Sequence, residues 1–151
     1  MVEKGQRGFE DLECYQLAQQ VLLEAYKTAR LLPLEERWNL ADQMRRAATS
    51  VTLNIAEGYG RYHYLDSLRF YYQARGSLCE VLSAFANCDE LGYSQGVLSR
   101  QREMCPSALR SLYGFIRYVR EQRQGFQEYG SHALHEEGLT YEASPDSPEA
   151  F

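Results

Sequence analysis

Hydrophobic and polar positions recur along this chain at helical intervals, most clearly over residues 40–60. Leu40, Met44, Ala47, Val51, Ile55 and Gly58 follow one another at steps of four, three, four, four and three, which on a helix makes one apolar stripe. Beside it, Gln43, Arg46, Ser50, Asn54 and Glu57 form a parallel seam that is wholly polar. A solvated face has no need to keep amide, guanidinium, hydroxyl and carboxylate groups in register over about four turns. The seam is therefore expected to meet a partner. The Gly58/Gly60 pair is expected to stop this helix through a left-handed exit.

The same periodicity predicts four helices with short joints. The first runs from about Asp11 to Leu32, with Leu12, Tyr15, Ala18, Leu22, Ala25, Ala29 and Leu32 on one face, and ends at Pro33. The second runs from about Leu34 to Glu57, with Glu35 and Glu36 in its first turn, where they favour the helix dipole. The third, about Tyr64 to Leu91, buries Leu68, Tyr71, Leu78, Leu82 and Phe85, and Gly92 is its natural stop. The fourth, about Gln95 to Gln122, repeats Leu98, Cys105, Leu109, Leu112, Ile116 and Val119. Pro106 removes one backbone donor from that helix and is expected to bend it or split it in two. No strand-like alternation competes, and short joints favour antiparallel neighbours. The expected fold is all-α: an antiparallel up-down four-helix bundle over residues 1–123, with a kinked fourth helix. Residues 124–151, with scattered Gly, Ser, Pro and acid, are expected to form a disordered acidic C-terminal tail.

Charge changes this picture more than overall composition does. The formal net charge of −5 hides a division: residues 124–151 hold six acids (Glu128, Glu136, Glu137, Glu142, Asp146 and Glu149) and no Lys or Arg. The remaining 16 basic and 15 acidic residues give residues 1–123 a net of +1. Fourteen of the 16 basic residues are Arg, the side chain suited to bidentate pairs, phosphate contacts and stacking. An apolar run of membrane-spanning length is lacking, and the polar stretch Met1–Glu10 has no secretory character. Cys14, Cys79, Cys88 and Cys105 show no paired spacing and are expected to be reduced, mostly buried thiols in the cytosol.

Two surfaces are candidates for function. On the third helix Arg69, Gln73, Gly76, Glu80 and Asn87 fall on one face, away from its apolar stripe. They and the second helix's seam are expected to meet, within the bundle or between copies of the chain, as charge-assisted hydrogen bonds that set register. The alternative is two solvated faces. On the fourth helix Arg102, Arg110, Arg117 and Arg120 lie within roughly an 80° sector, with Tyr113 among them, a pattern suited to phosphate contact and base stacking in RNA or DNA. Arg45 and Arg61 extend this patch if the bundle brings them near. Against it stands an ordinary solvated face partly neutralised by Glu103 and Glu121. The acidic tail is a potential competitor for the same arginines. Tyr59, Tyr62, Tyr64, Tyr71 and Tyr72 cluster around the joint of helices two and three, where packing at a core edge is a commoner role than base stacking.

Catalysis is not expected. A di-iron bundle needs Glu-x-x-His pairs, and none occurs. His132 and His135 sit in the tail, and His63 is expected to face water or cap a helix. A nucleophile elbow, a phosphate-binding loop and zinc spacing are likewise not expected, so neither metal nor cofactor is assigned.

A family resemblance joins these threads. The motifs are Phe9-Glu10-Asp11-Leu12, Gln43-x-Arg45-Arg46-Ala47-Ala48-x-Ser50, Asn54-Ile55-Ala56-Glu57-Gly58-x-Gly60-Arg61, Arg69-Phe70, Ala74-x-Gly76-Ser77-Leu78-x-Glu80 and Leu91-Gly92-Tyr93. Over residues 9–122 the chain resembles the four-helix-bundle proteins encoded by intervening sequences within bacterial large-subunit (23S) ribosomal RNA genes. These are grouped with the accessory proteins of diversity-generating retroelements. Ser67 stands where that family commonly has an aromatic, and the tail lies outside the shared region. The resemblance implies a non-catalytic homo-oligomer, pentameric in relatives, and more distantly a partnership with nucleic acid and a reverse transcriptase. The expected function is a cytoplasmic binding or scaffold protein with an Arg-rich outer surface. The competing expectation is a structural adaptor whose seam serves assembly alone.

Overall fold

The computed structural model describes residues 8–94 and 98–122. The described residues hold four α-helices: α1 (Glu13–Leu31), α2 (Leu40–Tyr59), α3 (Tyr64–Glu90) and α4 (Ser99–Gln122). Short 3-10 turns, Phe9–Asp11 and Leu34–Glu36, precede α1 and α2. Neighbours in sequence are neighbours in space: α2 packs on α3, α1 on α2, α3 on α4, and α4 closes back onto α1. The diagonals are therefore α1/α3 and α2/α4. Cross-helix bonds fix the antiparallel register. Ser111 Oγ donates to Glu13 at 2.9 Å and Gln101 Nε2 to Glu24 at 3.3 Å between α1 and α4, while the Ser50 and Ser77 hydroxyls meet at 2.8 Å between α2 and α3.

All six residues of the α2 stripe are buried, as the periodicity predicts. The α1 stripe is partly as predicted: Ala18, Ala25 and Ala29 are buried, joined by Cys14, Val21 and Thr28, while the predicted Leu12, Tyr15, Leu22 and Leu32 are half-buried at its edge. The core is rich in alanine (Ala18, Ala25, Ala48, Ala74 and Ala108 are wholly buried), so the helices approach closely around a few large side chains such as Phe85, Ile55 and Leu112. Burying each of these large side chains contributes about 1.5–3 kcal/mol. Burial also pushes the Cys14 thiol up to about 11 and Cys105 up to about 12, which keeps both as inert thiols. Cys79 is the exposed cysteine.

The glycines correct the sequence reading. Gly58 lies inside α2, and Gly60, the C-cap, has φ −73°, so neither adopts a left-handed exit. What Gly58 supplies is room. A Cβ there would sit 2.6 Å from Tyr71 Cε1 and 3.0 Å from the Ser67 carbonyl oxygen, both on α3. Gly92, after α3, is the left-handed residue, at φ 75°. Pro106 does not split α4, which runs unbroken from Ser99 to Gln122. Arg102 loses its usual backbone donor there, a vacancy one helix can carry.

The start of α2 also differs from the prediction. Leu34–Glu36 turns separately, and the helix begins at Leu40 because Glu36 caps it from outside. Its carboxylate accepts from the Leu40 backbone N–H at 3.1 Å, from Asn39 Nδ2 at 3.1 Å, and from the Tyr93 hydroxyl at 2.9 Å. The Tyr93 bond holds the Glu36 carboxyl below its ordinary value and ties the end of α3 to the start of α2. A carboxylate depressed on folding contributes stability above its unfolded pKa, and that contribution disappears as pH falls through the folded value. Glu36→Gln is thus expected to lower the melting temperature at about pH 7 and to converge with the parent chain at about pH 3. A difference that persists in acid would show that the cap does not depend on charge.

At this same end Leu31, Leu34, Trp38 and Leu91 are exposed, Trp38 to 79%. The Arg37 guanidinium lies 4.9 Å from the Trp38 ring centroid. The opposite end holds the start of α1, the α2–α3 joint and the end of α4. His63 caps α3 there: its buried Nδ1 accepts from the Leu65 N–H at 3.3 Å.

Candidate functional site

The arginine sector of α4 lies on the flank facing α3. Arg102 is neutralised across the groove by Asp89 at 3.1 Å. Lower down, Arg110 donates to the Ser107 hydroxyl at 3.1 Å, and Arg117 lies 5.7 Å from the centroid of the Tyr113 ring. Arg75 of α3, not anticipated from the sequence, lies 5.8 Å from the same centroid. One half-buried tyrosine thus engages a cation from each of two helices. The negative face of the ring attracts guanidinium, by about 0.5–1 kcal/mol per contact at exposed sites. Tyr113 therefore positions two arginines, a different task from the base stacking expected of it. Arg120 is half-buried in the last turn of the same flank. The result is a cationic groove between α3 and α4, in which Arg110 and Arg117 are held by a hydroxyl and a ring, neutral groups that leave their charge in place.

Arg45 does not extend this groove, and Arg61 stands beyond its end, in the cleft that Tyr118 also lines. Arg45 is on α2, diagonal to α4, where it donates to the Arg37 carbonyl at 3.2 Å and lies 3.8 Å from Asp42. Arg61, after α2, pairs with Glu57 and lies over the Phe70 ring at 4.9 Å.

The two polar seams run side by side along the outer face of α2 and α3. Gln43, Arg46 and Glu57 on α2 are exposed, as are Arg69, Gln73, Gly76 and Glu80 on α3. The seams join where Ser50 meets Ser77, a residue outside the predicted set. Asn54 braces Ser50 by donating to its hydroxyl at 3.0 Å and its carbonyl at 2.8 Å. Arg46 is paired on its own helix, 3.3 Å from Asp42. Gln43, Glu80 and Asn87 line one shallow groove between the helices. A Cβ on Gly76 would meet nothing within 4 Å, so no other helix among the described residues approaches it.

The tyrosines around the α2–α3 joint divide. Tyr64 and Tyr71 are core residues, and Tyr72 packs against the core half-buried. Tyr59 and Tyr62 are 41% and 49% exposed at the mouth of an end cleft, where Tyr118 of α4 faces them.

One run bears on catalysis. Gly92-Tyr93-Ser94-Gln95-Gly96 has the letters of the Gly-x-Ser-x-Gly nucleophile elbow, contrary to the expectation that the chain lacks one. Its setting is not that of an elbow, which joins a strand to a helix. It follows a helix, and Ser94 Oγ donates to the Asp89 carboxylate. His63, the histidine of the described residues, lies at the other end of the bundle. Among the described residues no cluster of three or more His, Cys, Asp or Glu is placed to hold a metal ion. His132, His135 and the acidic tail lie outside the described residues. No helix of the described residues is long and apolar enough to cross a membrane.

No curated protein matches the sequence. A family model does: that of the 23S rRNA-intervening sequence protein, over residues 10–111. That span runs from the turn before α1 to the middle of α4 and takes in both seams and Arg75, but ends before Tyr113 and Arg117. With about two thirds of its length matched, on the four-helix framework that the motifs around Arg46 and Asn54 suggest, the chain belongs to the 23S rRNA-intervening sequence protein family.

Proposed function

We propose that this chain is a non-catalytic, homo-oligomeric cytoplasmic scaffold that binds nucleic acid through the groove between α3 and α4. The observation that carries this reading is the convergence of Arg75 and Arg117 on the Tyr113 ring, with Arg110 beside them. Guanidinium groups fixed by a ring are positioned before a phosphate arrives, and they match phosphate geometry. Repetition of the groove around an oligomer, a pentamer by resemblance, multiplies weak single contacts into avidity. The resemblance to retroelement accessory proteins extends the partners to a nucleoprotein containing a reverse transcriptase. Purified protein titrated with RNA or DNA should show affinity that falls steeply with salt. Absence of binding at low salt would overturn the nucleic-acid reading.

The exposed α2–α3 band favours assembly as its companion role, and if nucleic acid does not bind, a protein–protein adaptor is the reading that remains. Gly76 separates the two states of this band. In an isolated bundle Gly76→Ala should stabilise the helix by about 0.5–1 kcal/mol, since the added Cβ meets open space. If copies of the chain mate along the band, the methyl group intrudes between them. Assembly is therefore expected to weaken in Gly76→Ala and in Glu80→Gln, with light-scattering mass falling toward the 17.4 kDa protomer. An unaltered chain that runs as a single protomer at micromolar concentration would end the homo-oligomer proposal.

A further inference from the structure

A cleft opens at the end of the bundle that holds the α2–α3 joint. It encloses about 750 Å³ between the start of α1, the end of α2, the start of α3 and the end of α4. Its walls are aromatic: Tyr59, Tyr62, Tyr64, Tyr71, Phe115 and Tyr118. Three of these rings, Tyr59, Tyr62 and Tyr118, are between 41% and 56% exposed. Ser67 keeps the cleft open, because it is small, buried, and tied by its hydroxyl to the Arg61 and His63 carbonyls at 3.2 and 3.4 Å. Among the described residues of the lining Arg61 is the one charged side chain.

This chemistry narrows the ligand. A cation would meet the Arg61 guanidinium, while its Glu57 partner stands outside the described lining. A simple anion would have no use for the three exposed rings, and a plain hydrocarbon no use for Arg61. A planar heterocycle joined to a phosphate uses both, with its flat face against the tyrosines and its phosphate toward the guanidinium. Arg61 is held by Glu57 and the Phe70 ring, so its guanidinium is positioned at the rim with its charge partly offset by the Glu57 carboxylate. The cleft also continues the cationic groove. Tyr118 and Val119 line it, while Arg117 and Arg120 lie next to them in sequence on the flank of α4 that faces α3.

We propose that this cleft takes an unpaired nucleobase, so that the protein selects single-stranded over double-stranded nucleic acid. The inference rests on the nucleic-acid reading above and adds the form of the substrate. A paired base is held in its duplex and cannot enter, whereas a strand following the α3–α4 groove can turn one base into the cleft at its end.

The test uses the full chain with a labelled oligouridylate of about 12 nucleotides and a duplex RNA of the same length, a span suited to one small binding site. The single strand should bind about ten-fold or more tightly. Tyr62→Ala and Tyr118→Ala, at exposed positions, should each remove most of that preference and leave duplex binding unchanged. Ser67→Phe, which fills the cleft from within, should do the same. Equal affinity for the two forms, with both tyrosine variants unaffected, overturns the cleft and leaves the arginine groove standing. Binding of neither form removes the nucleic-acid reading itself. A third outcome also overturns the cleft: Tyr118→Ala and Phe126→Ala lower the melting temperature alike and leave binding untouched. The cleft would then be the seat of the chain's own segment after Gln122.

Discussion

A chain carrying Gly58→Ala is expected to melt roughly 5–10 °C below the parent, because one added methyl group overpacks the α2–α3 crossing by about 1–3 kcal/mol. The Cβ would lie 2.6 Å from Cε1 and 2.9 Å from Cδ1 of Tyr71, and 3.0 Å from the Ser67 carbonyl oxygen. The ring has little room to yield. Tyr71 is 2% exposed, and its other side meets Phe115 with ring centroids 5.0 Å apart. The carbonyl belongs to the α3 backbone and moves only with the helix. Helix propensity acts in the opposite direction, since alanine is favoured over glycine by about 1 kcal/mol in a helix interior, so the observed loss is net of that gain. Circular dichroism melting decides the matter. An unchanged or higher melting temperature would mean that α2 and α3 can separate at this crossing without cost.

Reversing charge in the α3–α4 groove is expected to have the largest effect on binding. Arg110→Glu combined with Arg117→Glu should weaken single-stranded nucleic acid binding by more than about ten-fold and lower the salt slope by about one for each phosphate that is no longer neutralised. Both side chains are exposed on one flank, and among the described residues no carboxylate pairs with either, so the substitutions disturb the interface and leave the core alone. The control is Lys27→Glu with Arg30→Glu, which changes net charge by the same amount at exposed positions near the end of α1, outside the groove and both seams. It should leave groove affinity within about two-fold at moderate salt, where charges more than a Debye length apart are screened. If both pairs weaken binding equally, the interaction follows overall charge and the groove has no special standing.

How much of this was legible in the sequence depends on whether the feature is local. The α2 stripe from Leu40 to Gly58 follows from periodicity alone, and each of its residues is buried. The arginine sector of α4 follows from the same arithmetic at 100° per residue. Arg75 did not emerge, because its place beside Tyr113 depends on the register between α3 and α4, which no single helix encodes. Gly58 shows the same limit. Its letter suggests a helix stop, yet its function is set by Tyr71, thirteen residues away on the next helix. The beginning of α2 was displaced for a similar reason: Glu36 looks like a first-turn residue, but its partner Tyr93 comes from the far end of α3. Ser77 was legible as part of a motif but not as a seam residue, because its bond to Ser50 depends on the register between α2 and α3.

The chain has a single tryptophan, and Trp38 is already largely in water in the folded state, under the Arg37 guanidinium. Its emission should therefore shift little when the bundle denatures, and a fluorescence titration with urea would understate cooperativity. The indole is better used as a beacon for its own end of the molecule. A blue shift without any change in helicity would report that something has settled over Leu31, Leu34 and Leu91, at the end farthest from the tyrosine-walled cleft.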